Sequence, residues 1–191
     1  MQTKITRAQA LALLQKYNQE PFHILHGLTV EGTMRYFARE MGENEDFWGL
    51  VGLLHDVDFE KYPDEHCRHV RELLEPEGVD EADIRAIISH GYGLCTEECK
   101  PETNLEKSLF TVDELTGIVM TTALMRPTGI SDMEVKSVKK KFKDKKFAAK
   151  CSREVILEGC GMLSLDLDTV LALTIRGMQA HMEELSLGPK E

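Results

Sequence analysis

The chain has 191 residues, of which 42% are apolar and 29% charged, a balance typical of one globular domain rather than a disordered or membrane-embedded chain. No apolar run approaches the roughly 18 residues of a membrane-spanning helix, and the start MQTKITRAQA lacks the apolar core of a signal peptide. The formal net charge of −10 disfavours nucleic acid and anionic membranes as partners.

The N-terminal half has the apolar spacing of α-helices, interrupted by helix start and stop signals. Five helices are predicted there: one that begins with the Thr6–Gln9 capping box, three over about 24–41, 44–55 and 65–75, and one that Asp80 caps and Gly91 ends. We expect His66 to open the fourth of these helices.

The C-terminal half continues the helical pattern after a loop-like segment, GYGLCTEECKPETN, at residues 91–104. The predicted helices are a long one from Leu105 to about Met125 that Asn104 caps, a basic one opened by a Ser131–Glu134 capping box, and two near 146–158 and 167–185. Period-2 alternation, hairpin turns and internal repeats are absent from the sequence. It therefore predicts a single all-α domain over residues 1–191.

Histidines mark the ends or turns of several predicted helices. Six of the seven lie within residues 23–90, and four fall at such positions: His26, His55, His66 and His90. One histidine on a helix face is more often packed or at the surface than a ligand. The adjacent pair His55-Asp56 adds a signal, because neighbours on a helix point about 100° apart and can serve one site only where the helix ends.

Asp113 lies in the middle of the predicted long helix, beside the apolar stripe that includes Leu109, Val112 and Met120. A buried carboxylate is costly unless it meets a cation or strong hydrogen-bond donors. Asp113 is therefore either a ligand directed inwards or a residue at the edge of the stripe that pairs with a lysine or a helix cap.

Imidazole and carboxylate groups together favour transition metals over Mg²⁺ or Ca²⁺, which prefer oxygen ligands. Two neighbouring ions need about six protein ligands, one of them a bridging carboxylate. The candidates are His26, His55, Asp56, His66, His90 and Asp113. We expect one or two divalent transition-metal ions, with Fe, Mn, Zn, Co and Ni all compatible.

This order of residues, H…HD…H…H…D on successive helices, resembles the HD-domain superfamily of metal-dependent phosphohydrolases. The matching stretches are LHGLTVEGTM with His26, LVGLLHDVDFEKY with His55 and Asp56, and SLFTVDELTG with Asp113. The doublet with its apolar run is fairly specific, whereas each single histidine is a weak signal.

A second part of the resemblance concerns EHCRHVRELLEPEGVDEADIRAIISH, which is similar to the segment that carries two extra histidines in members with two metals. The resemblance assigns these roles to His66, rather than His69, and to His90. It covers roughly residues 20–125, and the extension over about 126–191 resembles the tail of small stand-alone bacterial HD proteins.

The resemblance implies hydrolysis of a phosphate ester by metal-activated water, with a small phosphorylated metabolite or nucleotide as substrate. Asp56 would bridge the ions of a two-metal site. With one metal, the ligands would be His26, His55, Asp56 and Asp113, and His66 and His90 would contact the substrate.

One position departs from the family pattern: many members read H-D-I-G at the doublet, whereas this chain has Asp58 in place of the glycine. Asp58 either orients a ligand histidine or is a helix-terminating or surface aspartate. We take Asp56 and Asp58 as the catalytic candidates.

Residues 136–153 carry nine basic residues against at most two acids, the reverse of the rest of the chain. They form either a solvated helix face or a surface that binds the anionic groups of a substrate. The candidates for substrate binding are Lys140, Lys143 and Arg126. Nucleic acid is disfavoured here too, because no aromatic residues alternate with the lysines.

The five cysteines are an odd number without framework spacing, which predicts reduced thiols in a cytoplasmic protein. Cys95 and Cys99 lie four residues apart without a second pair nearby, which favours a loop over the active site rather than a structural zinc site.

Two functions of different classes follow from these residues. The first is a metal-dependent phosphohydrolase. The second is an HD module that binds metal or nucleotide without turnover and serves as a sensor or partner-binding protein. Turnover of phosphomonoesters with added metal separates the two. The sequence leaves the oligomeric state open.

Overall fold

The computed structural model describes residues 5–190, which contain nine α-helices, two short 3₁₀ turns and no β-strand. The helices are α1 (Arg7–Tyr17), α2 (Pro21–Met41), α3 (Glu45–Leu54), α4 (Val70–Leu74), α5 (Glu81–Ser89), α6 (Asn104–Leu124), α7 (Val135–Phe142), α8 (Arg153–Leu163) and α9 (Leu167–Ala180). The predicted all-α fold is therefore confirmed. Among these residues, no helix is both long and apolar enough to cross a membrane.

The two longest helices, α2 and α6, pack against each other and carry most of the other helices. Helices α3 and α9 pack on α2, and α8 packs on α6. Small residues allow the close crossings: a Cβ at Gly52 of α3 would lie 3.0 Å from Met34 Cγ and Val30 O of α2. A Cβ at Gly159 of α8 would meet Thr111 of α6. The Gly52 contact draws the end of α3 towards the side of α2.

Several helix starts follow the predicted chemistry. Thr6 and Gln9 form a capping box with both reciprocal hydrogen bonds, and the Asn44 side chain accepts from Phe47 N at the start of α3. Two of the four unpaired N–H groups that every helix start exposes are thereby satisfied at α1. These two predictions are confirmed.

Other helix boundaries differ from the prediction. Helix α6 is capped by Thr103, which forms a capping box with Glu106, so Asn104 is the first helical residue rather than the cap. The predicted Ser131–Glu134 box is wrong: the Ser131 hydroxyl donates to Thr128 O, and Glu134 itself precedes α7. The helix predicted near 146–158 begins only at Arg153.

The fourth helix is much shorter than predicted, because the chain first forms a 3₁₀ turn at Pro63–Glu65 and then an irregular segment before α4 begins at Val70. His66 ends the 3₁₀ turn and does not open a helix. Cys67, next along the chain, has a φ of 69°, in the left-handed region that non-glycine residues rarely adopt. This break in the helical pattern changes the directions in which the side chains of His66 and Cys67 point.

Candidate metal centre

Helix ends and one irregular turn bring the six predicted ligands to one place. His26 lies in α2 and Asp113 in α6. His55 and Asp56 directly follow the last residue of α3, His66 ends the 3₁₀ turn, and His90 directly follows α5. The spacing of α2, α3, α5 and α6 around the core directs all of these side chains towards each other.

The first cluster, defined as His26, His55 and Asp113, is built on α2, α6 and the end of α3. His26 Nε2 lies 2.9 Å from Asp113 Oδ1 and 3.2 Å from His55 Nε2. His55 Nε2 is 3.3 Å from the same Asp113 oxygen. Three donor atoms therefore face one small space.

The second cluster, defined as His66, Cys67 and His90, comes from the irregular turn and the end of α5. His66 Nε2 and His90 Nε2 lie 3.0 Å apart, and Cys67 Sγ is 3.8 Å from His90 Nε2. Their three ligand atoms lie within 4.8 Å of one another. The sequence reasoning missed Cys67; its position next to His66 was the available signal.

Asp56 joins the two clusters, because each of its carboxylate oxygens faces a different one. Asp56 Oδ2 lies 3.4 Å from His55 Nε2 and 3.6 Å from His26 Nε2. Asp56 Oδ1 lies 3.2 Å from His66 Nε2 and 3.6 Å from His90 Nε2. A bridging carboxylate has this arrangement in a two-metal site.

The outer ring nitrogens of three histidines fix their protonation pattern, because each faces an oxygen that can only accept a hydrogen bond. The three contacts are His55 Nδ1 to Gly52 O at 2.8 Å, His66 Nδ1 to Asp58 Oδ1 at 2.8 Å, and His90 Nδ1 to Ile87 O at 2.6 Å. In a neutral imidazole the proton is then on Nδ1 and the inner Nε2 is a bare lone pair.

The bare lone pairs of His66 and His90, 3.0 Å apart, repel unless a cation lies between them. Ligands about 2.0–2.1 Å from one ion are themselves about 3.0–3.4 Å apart, depending on the coordination angle. The separations in both clusters lie close to this range. The donor set thus fits a metal ion, and the tautomers are those that metal-ligating histidines adopt.

Without an ion, protons supply the positive charge. Burial opposes the charged form of His55, but the carboxylates of Asp56 and Asp113 outweigh burial and raise the pKa of His55 well above its usual value. Burial likewise opposes protonation of His66, while Asp56 and Asp58 raise its pKa to about 10. Burial raises the pKa of Asp113, but His26 and His55 dominate and lower it. The carboxylates of the centre therefore favour positive charge close to them, which protonated histidines or a metal ion can supply.

The centre is buried on one side and open on the other. The side chain of His55 is fully buried and His90 is 3% exposed. His26, Asp56 and Asp113 are 14%, 15% and 20% exposed. Solvent therefore reaches the side chains of His26, Asp56 and Asp113.

Asp58 is fully buried, which excludes a surface aspartate. Its Oδ1 accepts from His66 Nδ1 at 2.8 Å and its Oδ2 accepts from the backbone N–H of His69 at 3.3 Å. Asp58 thus holds the His66 ring in place, as predicted in one of the two interpretations, and contacts the centre only through that ring.

The remaining histidines lie outside the centre. His69 faces the carboxylates of Glu65 and Glu72 and stacks on Tyr62. His23 contacts Glu60 at 2.9 Å, and His181 ends α9. The structure therefore brings His66, and not His69, into the centre.

Within residues 5–190, no hydrogen bond or ion pair joins the predicted substrate-binding residues to the six ligands. Lys140 and Lys143 are exposed, and their ammonium groups form no hydrogen bond or ion pair within residues 5–190. Arg126 follows the end of α6, about 20 Å along the axis from Asp113. Its guanidinium donates to Gly129 O and Asp132. Its position does not link it to the centre.

The C-terminal end of the basic segment lies beside the centre instead. The backbone N–H of Ser152 donates to Glu114 Oε2 at 2.9 Å, one residue from Asp113. One guanidinium, that of Arg153, holds the preceding loop through carbonyl groups. The accepting residues are Phe142, Asp144, Phe147, Ala148 and Cys151. Arg153 is thus a structural residue of the loop and not part of a basic surface.

The loop after α5 reaches the second cluster through Cys95. Cys95 Sγ lies 3.5 Å from Cys67 Sγ and 3.6 Å from Gly91 O, and both cysteines are free thiols. Their mutual hydrogen bond and burial raise the pKa of Cys67, and the same hydrogen bond lowers the pKa of Cys95 to about 6. Cys99 contacts Glu98 further along the loop. The loop after α5, which was expected to lie over the active site, thus places the thiol of Cys95 beside the second cluster.

No protein-family model, curated protein or solved structure matches this chain. The interpretation of the centre therefore depends on its donor atoms and their separations.

Proposed function

We propose that this protein binds two divalent transition-metal ions and hydrolyses a phosphate ester. The motif resemblance to HD-domain phosphohydrolases supports the reaction class, and the two clusters joined by Asp56 support a two-metal centre. The observation that carries the proposal is the convergence on Asp56 of three Nε2 atoms whose rings already donate from Nδ1 elsewhere.

The donor types limit the metal. Imidazole and carboxylate ligands suit Fe, Mn, Zn, Co and Ni and disfavour Mg²⁺ and Ca²⁺. In this proposal the ligands are His26, His55 and Asp113 for one ion, His66 and His90 for the other, and Asp56 for both.

The protein's own residues have three tasks in this reaction. Asp56 fixes the relative position of the two clusters, and Asp58 keeps His66 Nε2 directed inwards. The exposed side of Asp56 and Asp113 is where a phosphate group can approach. Bound divalent ions would neutralise phosphate oxygens and lower the pKa of water to near neutrality.

Substrate contacts beyond the phosphate are part of the proposal. Lys140 and Lys143 stay as candidates for other anionic groups of the substrate, since their ammonium groups are exposed and unpaired within residues 5–190. Arg126 is not included, because it donates to Asp132 and lies far along α6. A small phosphorylated metabolite or a nucleotide is the expected class.

The test combines metal content with turnover. Purified protein is stripped with chelator and reloaded with Mn²⁺, Co²⁺, Ni²⁺, Fe²⁺ or Zn²⁺. It is then desalted, analysed for metal, and assayed for phosphate release from a panel of phosphomonoesters and nucleotides. We expect about two retained ions per chain and phosphate release that depends on them.

Two variants are assayed beside the parent protein. His69→Ala is the control, which removes a histidine outside the centre, and Asp56→Ala removes the carboxylate that joins the two clusters. Phosphate release must persist in the first and vanish in the second. Two retained ions without turnover of any substrate would reject the hydrolase and favour the non-catalytic HD module. Absence of retained metal would reject the hydrolase and a metal-binding module, and would leave only a module that binds nucleotide.

A further inference from the structure

Cys67 shares the second cluster with its chain neighbour His66, which regular secondary structure would not allow. Adjacent side chains point about 100° apart on a helix and to opposite faces of a strand. Here the left-handed backbone of Cys67, with φ 69°, turns its side chain to the same side as His66. The residue is only 1% exposed, so the thiol faces the protein interior.

The separation of the sulfur from the ring nitrogen has the length expected for two ligands of one ion. With metal bonds of about 2.3 Å to sulfur and about 2.0–2.1 Å to nitrogen, a tetrahedral pair lies about 3.5 Å apart. Cys67 Sγ lies 3.8 Å from His90 Nε2. An ordinary S–H···N hydrogen bond from Cys67 to His90 would have a similar length. It requires a free lone pair on His90 Nε2, which a bound cation would occupy.

We propose that Cys67 is a thiolate ligand of the second cluster, which completes a set of one sulfur, two nitrogens and one carboxylate oxygen. The other members are His66, His90 and Asp56. This inference rests on the metal-binding part of the proposed function and does not depend on its hydrolytic part.

Two neighbours hold the sulfur in place. Cys95 Sγ lies 3.5 Å from Cys67 Sγ, at a distance from which it would donate a hydrogen bond to a metal-bound sulfur. A Cβ at Gly91 would lie 2.5 Å from both sulfur atoms, so only glycine leaves room for the pair. Cys95 is therefore a positioning residue in this proposal, and not a ligand.

The consequence is a difference in metal preference between the two clusters. A thiolate favours softer ions such as Zn²⁺ over Mn²⁺, while the first cluster has only nitrogen and oxygen donors. Protein loaded with a mixture of Zn²⁺ and Mn²⁺ should keep Zn²⁺ at the second cluster.

Cobalt substitution tests the ligand directly. Thiolate bound to Co²⁺ gives an intense near-ultraviolet charge-transfer absorption, whereas nitrogen and oxygen ligands give only weak visible bands. Stripped protein is titrated with Co²⁺ under reducing conditions, and bound cobalt is measured in parallel. We expect the near-ultraviolet absorption in the parent protein and its complete loss in Cys67→Ser.

Matched variants separate the sulfur from general damage. Cys160→Ser, which removes a buried cysteine of α8, is the control and should keep the absorption, whereas Cys95→Ser tests whether the thiolate is on Cys95 rather than Cys67. Cys67→Gly removes the thiol while suiting the positive φ, so it provides a folded test if the serine variant does not fold.

The outcomes distinguish this inference from the proposal on which it rests. Cobalt that binds with visible bands but without near-ultraviolet absorption would overturn the Cys67 ligand and leave the metal centre standing. Protein that binds no cobalt would overturn both. Absorption that persists in Cys67→Gly but vanishes in Cys95→Ser would assign the thiolate to Cys95 and overturn the proposal.

Discussion

The first and second clusters have similar donors but are built in different ways. His26 and Asp113 lie within two long helices, where the backbone is regular and the neighbouring core fixes the side chains. His66 and Cys67 lie in an irregular turn that depends on a left-handed residue and on the buried Asp58. The comparison indicates that the first cluster is part of the helical core, while the second depends on local interactions that single substitutions can remove.

The largest effect is expected where the clusters meet. Asp56→Ala removes an oxygen from each cluster and leaves the histidine nitrogens without their shared counter-charge. We expect retained metal to fall from about two ions to nearly none, while helix content stays largely unchanged. Elemental analysis after desalting, with circular dichroism, measures both.

Asp64→Ala is the matched control, since Asp64 is an exposed carboxylate of the 3₁₀ turn. It should retain the parent metal content. Full metal retention in Asp56→Ala would show that this carboxylate does not join the clusters.

A substitution in one cluster should remove one ion. His66→Ala should leave the ion of the first cluster, and Asp113→Ala should leave that of the second, because only Asp56 has oxygens facing both clusters. Metal content near one per chain in each variant is the expected measurement. His69→Ala serves as the histidine control, and equal loss of both ions in either variant would contradict the division into two clusters.

Asp58→Asn should weaken the second cluster without emptying it. The amide can no longer act as a charged acceptor for His66 Nδ1, so the ring loses part of its orientation. Loss of such a partner typically lowers metal affinity about 10–100-fold. Competition with a chelator measures the affinity, and a change at the first cluster of similar size would contradict the assignment.

Asp83 is a buried carboxylate outside both clusters, and its ionisation can be compared with that of Asp113. It is 2% exposed, and its Oδ2 has no hydrogen-bond partner within the described residues. Burial first, and the charge of Asp80 second, raise the pKa of Asp83 to about 6. Its ionisation therefore destabilises the fold, whereas the carboxylate of Asp113 is stabilised by histidines.

The pH dependence follows from the direction of this shift. Since the folded-state pKa of Asp83 lies above the unfolded value of 3.8, its contribution to stability is present below about pH 4 and is lost as pH rises through about 6. Asp83→Asn should raise the free energy of unfolding by about 1 kcal/mol at pH 7, because an unpaired buried amide offsets part of the gain. Urea unfolding at pH 4 and 7 measures this, and an equal gain at both pH values would contradict it.

Much of the fold was predictable, because helix spacing and caps are local signals. Thr6 with Gln9 and Asn44 were identified correctly, and the predicted ligands on helices or at helix ends come together. The helix predicted from about residue 65 was wrong, since nothing in the sequence near His66 marks a left-handed residue at Cys67.

The remaining features depend on the tertiary structure. Cys67 is a ligand candidate only because α5 ends next to it, and no spacing rule relates it to His90. The lysine-rich segment had the composition of a basic surface, but Arg153 turns inwards to backbone carbonyls. Composition gives the number of charged side chains in a segment, whereas the contacts of each side chain in the folded protein determine its role.

In the proposed two-metal centre, the carboxylate of Asp56 would also make the two ion positions energetically dependent on each other. Both oxygens belong to one rigid planar group, so an ion that draws Oδ1 towards His66 also moves Oδ2 relative to His55. By thermodynamic linkage, whatever occupancy of one position does to the affinity of the other, the reverse effect has the same magnitude. With two metals bound in this way, the protein would respond to metal availability as one coupled unit, and a half-loaded chain would have its own affinity rather than an average of two independent sites.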